Sequence, residues 1–222
     1  MYTICLVEDE ESLSNLIKLY LEKEGYKVIQ LYNGQGALDY IGSKVNLWIL
    51  DIMLGDDVTG YDIIKEIRKK DENIPVIFTS ARDKDIDKII GLEMGSDDYL
   101  AKPYSPKELV LRVNKLINRI YKDNNNVLIT YEPYEIDINK RVAKENNEEI
   151  KLTTLEFDLL VLLINNKNKT FSRDEILKGV WGEDYFGSDR AVDDLVRRLR
   201  KKMPKLNVST VYGYGYRLSW NI

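Results

Sequence analysis

At 222 residues, 44% hydrophobic and 32% charged, the chain has the balance of a soluble globular protein with room for one large or two ordinary domains. It has no apolar run of about 18 residues for a membrane span, and its start, MYTICLVEDE, lacks the basic segment and cleavage site of a signal peptide, so a cytoplasmic protein with no membrane partner is expected. The absence of histidine and the presence of one cysteine, Cys5 in the apolar run TICLV, exclude histidine-based acid/base catalysis, Ser/His/Asp and Cys/His arrangements, most zinc sites and an internal disulfide.

The net charge of −4 is unevenly shared. Residues 1–121 carry 16 basic and 21 acidic side chains, and residues 122–222 carry 17 and 16. Between them KDNNN at 122–126 is polar, aperiodic and turn-prone, which predicts a first domain over 1–120, a linker over 121–126 and a second domain over 127–222.

In the first half, Thr3 to Val7, Val28 to Leu31, Leu47 to Leu50, Val76 to Thr79 and Tyr99 to Ala101 are predicted strands. Between them Leu13, Leu16, Ile17, Tyr20 and Leu21, and later Tyr61, Ile64 and Ile67, recur at helical spacing. Continuous apolar strands alternating with helices predict a parallel α/β sheet covered on both faces. Glu8 and Asp9 then follow the first strand, Asp51 the third, Ser80 the fourth and Lys102 the fifth. Open α/β sheets place their binding crevice at these carboxyl ends, so Asp51 is expected at a pocket rim and not buried in the core.

Three carboxylates held together repel one another unless a cation neutralises them. With oxygen ligands only, Mg²⁺ suits the set, while Lys102 offers a point charge and Ser80 a hydroxyl for a phosphoryl group. A carboxylate in that setting is a candidate nucleophile for an aspartyl phosphate.

In the second half, residues 127–152 alternate like short strands, LTTLEFDLLVLLINN opens a helix with a hydroxyl cap, and RDEILKGVWG supplies another. The segment SDRAVDDLVRRLRKKM at 188–203 places Val192, Val196, Leu199 and Met203 on one stripe, which must face the core. The opposite face carries Arg190, Asp194, Arg197, Arg198 and Lys201, with Arg200 toward a flank. Six basic and no acidic residues lie between Leu195 and Lys205, a cationic front of the kind that enters a DNA major groove.

VEDE, LDIML, FTSAR and GSDDYLAKPYSPKEL, in that order and spacing, resemble the receiver domain of a two-component response regulator. LTTLEFDLL, VWG, DRAVDDLVRRLRKKM and TVYGYGYRL resemble the winged helix-turn-helix of the OmpR/PhoB type. The resemblance implies a flavodoxin-like five-stranded receiver followed by an α+β winged-helix domain. It implies that Asp51 accepts phosphate from a sensor histidine kinase, and that Asp9, Asp51 and the Met53 carbonyl bind Mg²⁺ with Glu8 acting through water. Ser80, Tyr99 and Lys102 would respond to the phosphate. It further implies a homodimer paired through Lys88 with Glu108, Asp98 with Arg112 and Asp97 with Arg119. Residues 188–203 would read promoter DNA, the wing would follow with Tyr212, and WGEDYFGSD would meet RNA polymerase.

The implied activity is transcriptional control, not enzymatic turnover of a substrate, beyond the receiver's own Mg²⁺-dependent phosphotransfer and dephosphorylation. Three departures stand out: the loop GDDVTG adds Asp56 and Asp57 after LDIML, Tyr212 stands where many members have arginine, and Asp194 sits on the DNA-facing side. Competing readings are a receiver regulated without phosphorylation or acting by protein contact alone, and a Mg²⁺-dependent phosphohydrolase. The last would need a second carboxylate where Met53 stands.

Overall fold

The computed structural model describes residues 1–55, 57–81, 91, 94–121, 127–182 and 189–220. The chain divides into two compact units, Met1–Lys122 and Asp123–Ile222. Of the expected linker at 121–126, residues 122–126 lie outside the described residues, as does Asp56 of the GDDVTG loop.

The first unit is built on strands β1 (Thr3–Val7), β2 (Lys27–Leu31), β3 (Leu47–Asp51), β4 (Val76–Ser80) and β5 (Asp98–Ala101). They form one parallel sheet in the order β2-β1-β3-β4-β5, the flavodoxin-like order, in keeping with the fold that the resemblance implies. Helices α1 (Glu11–Lys23), α2 (Gly34–Tyr40), α3 (Gly60–Lys70) and α4 (Pro106–Tyr121) accompany it. Because successive strand residues point to opposite faces, Ile4 and Leu6 join a core with Ile17, Leu21, Val113 and Ile117, while Cys5 and Val7 join another with Ala37, Ile63, Ile64 and Ile67. This two-sided burial accounts for the unbroken apolar runs.

Two details differ from the periodicity. Leu16 is 42% exposed, and the buried positions of α1 are Ser14, Ile17 and Leu21. Ser14 can be buried because its hydroxyl accepts from Gln30 Nε2 at 3.0 Å. Strands β3 and β4 also run one residue further than their apolar stretches, to Asp51 and Ser80, because Asp51 still pairs with Thr79 and Ser80 with Ala101.

The second unit opens with the antiparallel sheet β6 (Leu128–Tyr131), β7 (Tyr134–Asp137), β8 (Val142–Glu145) and β9 (Glu148–Ile150). Helices α5 (Thr154–Ile164), α6 (Arg173–Trp181) and α7 (Asp189–Lys202) follow, with β10 (Thr170–Ser172), β11 (Val208–Val211) and β12 (Gly215–Leu218) forming a second sheet in the order β10-β12-β11. Thr153 and Ser172 cap α5 and α6, each completing a capping box with Glu156 or Glu175. Arg141 joins the first sheet to α5, 2.8 Å from Asp158 Oδ1 and donating to the Thr154 carbonyl at 2.9 Å.

The two wing glycines serve different needs. Gly213 turns the hairpin between β11 and β12 at φ 73°, whereas a side chain at Gly215 would place its Cβ 2.0 Å from the Phe171 carbonyl oxygen on β10. The expected core stripe Val192, Val196, Leu199 and Met203 is fully buried. Among the described residues, no helix is long and apolar enough to cross a membrane.

Candidate functional site

The sheet order reverses between β1 and β3, and the acidic residues gather there. Glu8 and Asp9 leave β1, Asp51 ends β3, and their carboxylate oxygens lie within 4.8 Å of one another. Asp9 is exposed, while Glu8 and Asp51 are only 1% and 4% exposed. Asp51 therefore closes its strand as expected, but it is buried, where the sequence predicts a pocket rim outside the core.

The compensation comes from Lys102, which follows β5. Its Nζ donates to Asp51 Oδ2 at 2.6 Å and to both oxygens of Glu8 at 2.8 Å. The Met53 amide donates to Asp51 Oδ1 at 3.0 Å, while the Met53 side chain is half exposed. Burial pushes the Glu8 carboxyl above its ordinary range, with the Lys102 hydrogen bonds working against that rise. Burial would depress the Lys102 ammonium, but hydrogen bonds to Asp51 and Glu8 more than offset it and the pKa rises. Three acidic groups and one cation thus form a cluster of fixed composition, all oxygen donors apart from the lysine.

Two glycines let the backbone pass close to that cluster. Gly55 adopts φ 68°, and a Cβ there would meet Asp9 Oδ2 at 3.0 Å. Gly60 begins α3 directly against β3, where a Cβ would lie 2.4 Å from the Asp51 carbonyl oxygen. Thr59 caps that helix through reciprocal bonds with Asp62. Ser80 is fully buried at the end of β4, and Tyr99 is 5% exposed in the core with Phe78. Tyr104, absent from the sequence reading, has its phenol pKa raised by burial and then by the nearby charges of Glu8 and Asp51.

Of the six charges expected at a receiver dimer, Lys88 lies outside the described residues. Asp98 and Arg112 are paired within one chain, Nη1 donating to both carboxylate oxygens at 2.9 Å, and Arg112 Nη2 also reaches Glu108 at 2.8 Å. Burial raises the Asp98 pKa, and Arg112 and then Arg119 oppose the rise. Asp97 is turned inward, accepting from the Val76 amide at 2.8 Å with Arg68 Nη2 at 3.5 Å.

In the second unit, α7 presents Arg190, Arg197 and Lys201 to solvent, and the wing tip presents Tyr212 at 95% exposure. Arg198 and Arg200 point elsewhere. Arg200 donates to the Val208 carbonyl at 2.7 and 3.0 Å and to Thr210 Oγ1 at 3.0 Å, tying α7 to β11. The Arg198 side chain is 14% exposed, its Nε 3.3 Å from Asp194 Oδ2 and 4.0 Å from Glu156 Oε1. Asp194 also accepts from Arg197, through Nε at 3.0 Å and through Nη2.

The comparisons agree with this architecture. Residues 4–114 match the response regulator receiver domain, and residues 147–218 match the C-terminal domain of transcriptional regulatory proteins. The chain is 52% identical to the transcriptional regulatory protein CssR of Bacillus subtilis, over 98% of both chains. The chain belongs to the OmpR/PhoB-type response regulators. It is 34% identical to the response regulator SaeR of Staphylococcus aureus over 98% of both chains. It superposes with a TM-score of 0.54 on the response regulator DrrB, a Thermotoga maritima OmpR/PhoB homolog, 26% identical over 99% of both chains.

As a response regulator, this protein is a transcriptional regulator of a two-component system, with a receiver and a DNA-binding domain. Its family implies a sensor kinase and promoter DNA as partners. Two residues of its winged helix escaped the sequence reading. Glu156, 1% exposed, accepts from the Thr153 amide and from Lys202 Nζ, both at 2.9 Å, so it anchors the end of α7 to the start of α5. Its signal was the threonine three residues before it, a capping box only half read. Asp193 accepts from Arg173 Nε at 2.7 Å and from Tyr216 OH at 2.8 Å, joining α7 to α6 and β12.

Proposed function

We propose that Asp51 is the phosphoacceptor of this response regulator, and that its phosphorylation promotes receiver dimerisation and promoter binding. The observation that carries the reading is the Lys102 ammonium 2.6 Å from a buried aspartate at the switch point of the sheet. An Asp51 carboxylate oxygen attacks the phosphorus of a phosphohistidine on the sensor kinase. The P–N bond breaks and its electron pair stays on the imidazole nitrogen. Lys102 then pairs with a phosphoryl oxygen and the Ser80 hydroxyl donates to another, while Tyr99 packs beneath.

The donor set suits a hard divalent cation, since three carboxylates converge within 4.8 Å. Asp9, Asp51 and the Met53 carbonyl would hold Mg²⁺, with Glu8 acting through water. When bound, the ion would neutralise charge on the transferring phosphoryl group.

Phosphorylation adds roughly −2 charge, enough to bias a bistable element. The dimer would use Lys88, Asp97, Asp98, Glu108, Arg112 and Arg119, with Asp98 and Arg112 sharing or exchanging the partners they have in one chain. Arg190, Arg197 and Lys201 would approach DNA from α7 and Tyr212 from the wing, while Arg198 and Arg200 support them from behind. Asp194 would act beside Arg197. The segment WGEDYFGSD, of which 183–188 are outside the described residues, would meet RNA polymerase in the cytoplasm.

The test is to sequence DNA fragments retained by the protein with and without acetyl phosphate and Mg²⁺. Acetyl phosphate should enrich a defined set of fragments, and Asp51→Ala should abolish the difference. Equal pools for the native chain would contradict the switch.

A further inference from the structure

Asp194 places a carboxylate on the stripe of α7 that also carries Arg190, Arg197 and Lys201, where it should repel phosphate. Its surroundings separate two possible roles. The Asp194 side chain is 11% exposed, covered by Arg197, which is itself 67% exposed. Both Nε and Nη2 of Arg197 donate to Asp194 Oδ1. On the other side, Arg198 Nε lies 3.3 Å from Asp194 Oδ2, and Arg198 is backed by Glu156 at 4.0 Å. Glu156 is in turn fixed by the Thr153 amide and Lys202.

With Oδ1 bonded to Arg197 and Oδ2 buried beside Arg198, the carboxylate is covered from a cytosine amino group while these arginines stay in place. It can instead hold one edge of the Arg197 guanidinium, giving the planar fork a set direction before DNA arrives. An untethered arginine can satisfy itself on any nearby phosphate, whereas a fork with a fixed direction distinguishes one base edge from another. We propose that Asp194 is a specificity-determining residue, positioning Arg197 to read a base edge while lowering sequence-independent affinity for the phosphate backbone. This rests on the proposed DNA-binding face of α7.

The experiment uses the full chain, its Asp194→Ala and Asp194→Asn variants, and selection of binding sites from a random duplex pool, together with titration of a duplex lacking the selected site. Asp194→Ala should lose about tenfold in discrimination at one base-pair position per recognition helix, and bind the non-specific duplex about threefold more tightly. Asp194→Asn, which keeps an acceptor oxygen without the charge, should share the gain on non-specific DNA but retain part of the preference. If Asp194→Ala selects the same site with the same discrimination as the native chain, the inference fails although the DNA reading stands. If the native chain selects no site, the DNA reading fails and the inference with it.

Discussion

Lys102 Nζ lies 2.6 Å from Asp51 and 2.8 Å from both oxygens of Glu8, so one cation serves two carboxylates that are almost wholly buried. Truncating one partner of a buried ion pair strands the other charge. Lys102→Ala should therefore destabilise the receiver by about 3 kcal/mol, read by urea denaturation at neutral pH. In the Asp51→Asn background the same change should cost less, because one of the two stranded charges is gone. Equal losses in both backgrounds would refute the coupling.

The wing glycines should differ in sensitivity. Gly215 has no room for a Cβ against the Phe171 carbonyl, whereas Gly213 has open space and only an unfavourable φ. Gly213→Ala should cost about 1 kcal/mol. Gly215→Ala should cost about 2–3 kcal/mol by overpacking and weaken DNA binding by displacing the wing. Thermal unfolding of the two variants checks the order.

Arg197 and Arg200, three residues apart, should separate binding from stability. Arg200→Ala removes the link between α7 and the Val208 carbonyl and should lower stability by about 1–2 kcal/mol. Arg197→Ala should leave the unfolding midpoint nearly unchanged and weaken binding to a selected site by about 1–3 kcal/mol. Calorimetry and fluorescence anisotropy on the same samples test this.

Acid should loosen two helix starts. Hydrogen bonds from Thr59 hold the Asp62 carboxyl below its ordinary 3.8, and those from Ser172 hold Glu175 below its ordinary 4.5. A depressed folded pKa contributes stability that is present above the unfolded value and lost as pH falls through the folded one. The loss should begin below about pH 4.5 for Glu175 and below about pH 3.8 for Asp62. NMR titration of the two carboxyl carbons should give midpoints below those values, and midpoints at or above them would contradict the assignment.

The strands and the parallel sheet were legible because burial on both faces leaves an unbroken apolar run, as in Leu47 to Leu50. Asp51 continues that strand because backbone pairing with β4 does not depend on side-chain polarity. Its burial was illegible because the compensating Lys102 is 51 residues away. Helical spacing located the core stripe of α7, yet it could not say where long side chains turn. Arg198 and Arg200 lie toward the sides of the helix: Arg200 turns to the Val208 carbonyl, and Arg198 lies between Asp194 on its own helix and Glu156 on α5. The charge of Asp194 was visible, while its coverage by Arg197 and Arg198 depends on rotamers.

Mass spectrometry of the intact protein and its peptides, after acetyl phosphate treatment with Mg²⁺, tests the phosphoacceptor assignment most directly. A single phosphoryl adduct on the peptide containing Asp51, absent from Asp51→Ala and accompanied by tighter promoter binding, is the expected result. An unmodified Asp51, or an adduct elsewhere with the same gain in promoter binding, would contradict it.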